Sequence, residues 1–210
     1  MRVNSQEMNK VFVINGHGGI SPGKLNATFV DLAIQHLQTK GYEVKTTDVK
    51  EDWDVDAEIE KHIWADCVLL QTPCNWMGVP WRLKKYMDEI YTAGMDGRLC
   101  VGDGRTDKTK DHAKYGLGGS LTNTKYMLSL SFNAPREAFN NMAAGFFEGR
   151  SVDDLWLPMH LNFKFFGLKP MPTFSAHDVM KRGADVFEDE VKSFSSHLAE
   201  HFPGATRDVA

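Results

Sequence analysis

The run of four apolar residues from Cys67 to Leu70 is the sequence feature that most restricts the fold. It is short and unbroken, which is typical of a strand buried on both faces of a sheet. An aromatic loop follows directly, and a helix begins near Pro80, whose missing N–H costs nothing in a first turn. Strand, aromatic loop and helix in this order predict an open α/β sheet that binds a ligand at the carboxyl ends of its strands.

The remaining chain continues this alternation of strand and helix. The sequence predicts strands at residues 10–14, 42–47, 67–71, 125–130 and 169–175, with helices between them and after the last. Such alternation predicts a parallel sheet with helices on both faces. Two stretches, 92–124 and 131–150, show no regular pattern, and a loop as long as the first is usually functional or disordered. We expect an N-terminal tail at 1–9 and a single domain at 10–203.

Composition excludes several classes of protein. The 210 residues are 42% hydrophobic, which is enough for one core, and the net charge of −4 argues against nucleic-acid binding. No apolar stretch has the length of a signal peptide core or a membrane span. Cys67, Cys74 and Cys100 have no metal-binding spacing, so we expect reduced thiols, no metal and a cytoplasmic location.

The glycine-rich loop at residues 16–26 follows the first predicted strand and runs into a helix. Unpaired N–H groups at a helix N-terminus favour an anion, so phosphate is the expected ligand, although a glycine-rich turn without a ligand has the same pattern. Gly18–Lys24 also matches the start of a P-loop. Leu25 then replaces the hydroxyl residue that holds Mg²⁺, which argues against a nucleotide hydrolase.

Two further strand ends carry residues suited to a flat ligand. The loop after Leu70 holds Asn75, Trp76 and Met77, which offer an amide and large apolar groups, although these side chains could instead fold onto the core. The segment Ser129–Pro135 ends the fourth strand, where Phe132 could pack on a ring. Three strand ends with ligand-type chemistry together predict one binding site.

Specific segments resemble a known family. Pro73–Pro80 and Lys84–Glu89 resemble the flavin loop of the NAD(P)H:quinone oxidoreductase family. Further segments resemble its modulator of drug activity B branch, namely residues 103–106, 114–119, 126–130, 133–135 and 147–173. Cys74 and Asn75 depart from the pattern, because a glycine followed by an aromatic residue is expected there.

The resemblance implies a flavodoxin-like, doubly wound, five-stranded parallel sheet, with FAD as cofactor and NADPH as co-substrate. It implies two-electron reduction of quinones in a homodimer. By position, it assigns Ser21, Leu25 and Asn26 to the pyrophosphate. It assigns the flavin ring to Pro73, Asn75, Trp76, Met77, Ser131, Phe132, Asn133 and Ala134, with Tyr115 nearby.

The predicted helix around His160 is rich in aromatic residues. His160 is the candidate catalytic side chain, although a lone histidine among apolar residues is more often a hydrogen-bonded core residue. One domain of this size should not bury every aromatic side chain of the region, which predicts a dimer interface. The aromatic residues concerned are Phe146, Phe147, Trp156, Phe163, Phe165 and Phe166.

Two alternative functions remain open. An FMN-dependent azo- or nitroreductase has the same architecture and differs in its cofactor. A flavin-binding electron carrier or redox sensor would not turn over substrates. Carriers of the flavodoxin type are typically shorter and more acidic than this chain.

Overall fold

The computed structural model describes residues 8–19, 24–105, 112–180 and 184–205, the last with side chains from Phe187. The strands are β1 (Lys10–Asn15), β2 (Glu43–Asp48), β3 (Cys67–Pro73), β4 (Lys125–Ser131), β5 (Lys169–Pro170) and β6 (Phe174–Ala176). The helices are α1 (Lys24–Thr39), α2 (Val55–Trp64), α3 (Trp81–Ala93), α4 (Val152–Leu155), α5 (Leu157–Phe165) and α6 (Ala184–His201). In these residues no helix combines the length and the apolar composition that crossing a bilayer requires.

The strands form one parallel sheet in the order β2-β1-β3-β4-β5, with β6 also paired to β4. The predicted last strand is therefore two short strands, one pairing Lys169 with Lys125 and the other pairing Phe174 with Ser129. Proline has no N–H for the ladder, and Pro170 and Pro172 lie where the strand is interrupted. The five-stranded doubly wound sheet is confirmed, with its fifth position shared by β5 and β6.

Alternate side chains of the central strands enter two separate cores. Val11 and Leu69 pack on the side of α1 and α6. Phe12 and Leu70 pack on the opposite side, with α2, α3 and α5. Both faces of the sheet are therefore shielded from water, which explains why β3 is apolar at successive positions.

The helix predicted around His160 is two helices, α4 and α5. Ser151 and Asp154 form a capping box that starts α4, with 3.0 Å from the Asp154 N–H to Ser151 Oγ. Trp156 ends α4, and Pro158 lies in the first turn of α5. A proline is tolerated there because no partner is needed for its nitrogen.

Most aromatic side chains predicted for a dimer interface are buried within one chain. Phe147, Trp156, Phe163 and Phe166 are at most 7% exposed and belong to the core against α2 and α3. Phe146 alone of that group is a large exposed aromatic, at 74%. One domain thus leaves Phe146 exposed, as expected, but it buries most of the others, because the irregular segment at 139–150 folds over this face and stacks Phe139 on Phe147.

Helix α3, which follows the aromatic loop, is fixed by a buried carboxylate. Glu58 is 4% exposed and accepts hydrogen bonds from the hydroxyls of Tyr86 at 2.8 Å and Thr47 at 2.7 Å. Lys61 Nζ lies 2.6 Å from the same carboxylate. A buried charge is tolerated only when it is paired and hydrogen-bonded, so this network joins β2, α2 and α3 rigidly.

Candidate functional site

A cavity of about 1130 Å³ lies at the carboxyl ends of β1, β3 and β4. We call it the strand-end cavity. Its walls come from the loops after these strands, from the first turn of α1 and from α6. It is lined by His17, Lys24, Leu25, Asn26, Pro73, Cys74, Asn75, Trp76, Gly78, Val79, Trp81, Lys84, Ser131, Asn133, Val179, Met180 and Phe187. The structure thus brings the three predicted strand ends together.

Most residues predicted for the site lie in this cavity, and five described ones do not, namely Met77, Tyr115, Phe132, Ala134 and His160. Leu25, Asn26, Pro73, Asn75, Trp76, Ser131 and Asn133 line it, and Ser21 lies outside the described residues. Met77 lines a neighbouring cavity instead. The carbonyl of Ala134 accepts a hydrogen bond from the Asp178 N–H at 3.3 Å. Tyr115 is exposed, with its ring against Phe165 and Arg105.

The side chain of Phe132 points into the core. It is 2% exposed and lies against the rings of Phe139 and His177. Its N–H donates to the carbonyl of Ala176 at 2.8 Å. The expected stacking of Phe132 on a ligand was wrong, because this ring fills the space between β4 and the 139–150 segment.

The aromatic loop ends in a tight two-residue turn. Asn75 and Gly78 exchange two backbone hydrogen bonds, of 2.8 and 3.0 Å. Trp76 and Met77 between them have φ angles of +48° and +63°. This is a type I′ turn, in which asparagine and glycine are preferred because other side chains are strained. The turn therefore holds a 97% exposed indole on a strained backbone, which favours a role in ligand contact over a role in packing.

A chain of buried side-chain amides and hydroxyls ends at the cavity wall. Ser129 Oγ donates to Gln71 Oε1 at 2.5 Å, and Gln71 Nε2 donates to Asn26 Oδ1 at 2.8 Å. Ser131 Oγ also donates to Asn26 Oδ1, at 3.2 Å. With its oxygen accepting twice from the protein, Asn26 has its Nδ2 hydrogens left for the cavity. The network therefore makes Asn26 a donor, which suits an anionic or carbonyl ligand.

The loop after β1 forms the part of the cavity wall next to Asn26. Gly16 allows close approach of α3, since an added Cβ would lie 2.6 Å from Leu83 Cδ2.

The charges at this end of the cavity depend on His17 and Lys24. Burial is the main cause that lowers the pKa of His17, and the charge of Lys50 lowers it further. His17 is therefore neutral near pH 7, and the exposed Lys24 provides the cation at this end of the cavity.

Cys74 is not a reactive thiol. Burial raises its pKa to about 11, and the thiolate is the nucleophilic form.

His160 lines a different cavity, of about 750 Å³, beside α5 and β5. We call it the His160 cavity. Nε2 lies 3.1 Å from Asp153 Oδ1 and therefore carries the proton, and Nδ1 accepts from the Tyr126 hydroxyl at 2.7 Å. Burial, with the charge of Asp153, raises the pKa of Tyr126 to about 12. Within one chain, the structure does not bring His160 to the strand-end cavity.

Sequence reasoning missed several residues of the strand-end cavity. Trp81 is exposed at the start of α3, directly after the aromatic loop. Its position next to Pro80 could have marked it as a site residue in the sequence. Val179 and Met180 follow β6, and no local pattern marks them. Helical spacing groups Phe187 with the core residues Phe194 and Leu198. In the structure it lies at the cavity.

Comparison with known proteins identifies the family. A family described by its flavodoxin-like fold matches residues 9–202. NADPH:quinone oxidoreductase MdaB of Haemophilus influenzae is 42% identical over 184 residues, which cover 88% of this chain and 93% of that protein. The chain belongs to the NAD(P)H:quinone oxidoreductase family. The resemblance to the modulator of drug activity B branch is thereby confirmed, and the chain is an oxidoreductase.

Two solved structures show the same family fold. A proposed quinone reductase from Klebsiella pneumoniae has a TM-score of 0.74 at 21% identity and covers 94% of this chain and 86% of its own. General stress protein 14 from Treponema denticola, solved in complex with FMN, has a TM-score of 0.64 at 20% identity. It covers 91% of this chain and 97% of its own.

Replacing Trp76 by Asn together with Met77 by Gly should stabilise the ligand-free protein. The preferred residues of a type I′ turn remove left-handed strain of about 1–2 kcal/mol, and little packing is lost from an exposed indole. Denaturant unfolding of the ligand-free variant measures the gain. Met77→Ala is the control, because it shortens the side chain and keeps the strain. A loss of stability in the double variant would show that these side chains pack on the protein.

Gln71→Leu should weaken anion binding in the strand-end cavity and lower the free energy of unfolding by about 1–3 kcal/mol. The change leaves the Ser129 hydroxyl without its acceptor and frees the Asn26 amide to rotate. Titration with inorganic pyrophosphate and denaturant unfolding measure the two effects. Gln35→Leu, on the exposed side of α1, is the matched control. Equal pyrophosphate affinities in the two variants would contradict the orienting role of Gln71.

Proposed function

We propose that this protein is an FAD-dependent NADPH:quinone oxidoreductase. The observation that carries the proposal is the exposed Trp76 indole, held on a strained turn at the mouth of the strand-end cavity. Strain of this kind is kept where function requires it, and an exposed aromatic face is suited to stacking on a flat ring. The MdaB relative supports the reaction class.

The donor set of the cavity fits a phosphate-bearing, planar cofactor. Asn26 offers its amide hydrogens, Lys24 a positive charge, and α1 its N-terminus, all at the end where a pyrophosphate would lie. Asn75, Trp76 and Asn133 offer polar and stacking contacts at the other strand ends. The volume of about 1130 Å³ exceeds the usual range of small-molecule pockets, which supports a dinucleotide over FMN.

The protein would bind and orient the reactants without nucleophilic or metal chemistry from its own side chains. Bound FAD supplies the site that accepts and then donates a hydride. In the net reaction, NADPH loses a hydride, and the quinone gains that hydride and one proton to become a hydroquinone. NADPH and quinone would occupy the same slot against Trp76 in turn, which is a ping-pong scheme. Cys74 is protonated and His17 is neutral, so neither side chain adds a charge to the strand-end cavity.

We also propose that the protein is a homodimer and that His160 of each chain faces the partner's slot. Leu157 and Leu161 on α5 and Leu117 in the preceding irregular segment are each about half exposed, and all three line the His160 cavity. Apolar surface of this kind usually marks an interface. A partner covering this face would bring towards a second active site both Tyr115, which the resemblance assigns near the flavin, and the candidate catalytic residue His160.

The purified protein should be yellow and release FAD when it is denatured. Chromatography of the released cofactor distinguishes FAD from the FMN of an azo- or nitroreductase. Initial rates at varied NADPH and quinone concentrations should give parallel double-reciprocal lines.

Trp76→Ala should raise the dissociation constant of FAD about tenfold through lost stacking and burial. The control is Met95→Ala, at an exposed position remote from the cavity, which should leave this dissociation constant unchanged.

Other results would redirect this assignment. Release of FMN would favour the azo- or nitroreductase alternative. Bound flavin without NADPH oxidation in the presence of quinone would indicate an electron carrier or redox sensor. Colourless protein that cannot be reconstituted with either flavin would contradict the whole proposal.

Leu161→Glu should halve the mass measured by light scattering, because a charge on the proposed interface opposes dimer formation. Ile63→Glu, on a half-exposed position of α2, is the matched control and should stay dimeric.

His160→Ala should lower quinone turnover and leave FAD content unchanged. A fully active monomer would refute the shared site, and a lower thermal stability of His160→Ala with unchanged quinone turnover would identify a structural histidine.

A further inference from the structure

A second cavity, of about 310 Å³, lies between α3 and α5, behind the two-residue turn of Trp76 and Met77, which we call the aromatic turn. We call it the methionine cavity, after Met77, Met87 and Met159 in its wall. Val79, Leu155, Trp156 and Pro158 supply the remaining apolar side chains of its lining. Neither the family resemblance nor the reduction of a quinone ring assigns it a role.

The methionine cavity lies next to the strand-end cavity. Gly78, Val79 and Lys84 line both. Gly78 adds no side chain at this boundary, and an added Cβ there would meet no atom within 4 Å. A ligand whose ring lies against Trp76 can therefore extend a substituent past Gly78 into the second cavity.

The chemistry of the wall specifies the substituent. Unbranched, polarisable methionine side chains adapt to apolar groups of irregular shape. Among the residues that line the cavity, only Lys84 and Asn162 are polar. Lys84 is paired with Asp88, and Asn162 Nδ2 faces the Met159 sulfur at 3.9 Å. A volume of about 310 Å³ is roughly twice that of an apolar cavity known to hold benzene, so it has room for a short hydrocarbon chain.

We infer that the methionine cavity binds the apolar side chain of the quinone, and that the preferred substrates are quinones carrying a short isoprenoid or alkyl tail. The inference rests on the proposed quinone reductase activity. The ring and its carbonyls would lie in the strand-end cavity, and the tail would bury apolar surface beside Met159. Removing this apolar surface from water favours binding of the tail.

The test compares two quinones with the same ring. They are 2,3-dimethoxy-5-methyl-1,4-benzoquinone and its derivative with one five-carbon isoprenoid tail, both assayed with NADPH and the flavin-loaded protein. The tailed quinone should have a kcat/KM at least about tenfold higher, within the range that one or more methylenes contribute in an apolar pocket. Most of the difference should be in KM.

Asn162→Trp should fill the cavity and abolish this preference while the tail-free quinone reacts as before. Asn162→Ala is the matched control, because it removes the same amide without filling the space. Met159→Ala should enlarge the cavity and shift the preference towards a tail of two isoprenoid units. Flavin content and thermal unfolding of each variant report whether the fold is intact.

The outcomes separate this inference from the proposed function. If the wild-type protein reduces both quinones with equal kcat/KM, the tail site is refuted and the quinone reductase activity stands. If Asn162→Trp keeps the preference, the tail binds elsewhere and the inference fails. If neither quinone is reduced, the proposed function fails, and this inference fails with it.

Discussion

The parallel sheet is buried on both faces, and the rest of the molecule depends on this constraint. Side chains at successive positions of β3 enter opposite cores, so neither face can present polar groups to a ligand. The chain can expose backbone and polar side chains only at the strand ends. Because the strands are parallel, their carboxyl ends meet at one edge of the sheet. The strand-end cavity follows from this arrangement.

Polar groups near that edge are still buried, and they are tolerated because they satisfy one another. Gln71 and Ser129 are fully buried on adjacent strands, and both belong to the network that ends at Asn26. An unpaired amide at this depth would cost about 1–3 kcal/mol. The same network that satisfies these groups also fixes which atom of Asn26 faces the cavity. Packing requirements and ligand recognition are thus met by the same hydrogen bonds.

In the aromatic turn, by contrast, the residues present are suited to a ligand and not to the stability of the turn. Trp76 and Met77 adopt left-handed backbone angles that asparagine or glycine would adopt with less strain, and the indole is left in water. Stability alone does not explain this choice of residues. Anchoring of the following helix through Tyr86 and the buried Glu58 holds the strained turn in place. A rigid scaffold therefore supports a loop whose residues are suited to a ligand.

The sequence alone determined the order of strands and helices, the convergence of three strand ends and the family. These follow from local periodicity and from segments such as Pro73–Pro80. Only the tertiary structure placed Phe132 in the core and Phe187 at the cavity. It also separated His160 from the strand-end cavity within one chain. Local patterns show that a side chain is apolar, but packing between distant segments decides which surface it covers.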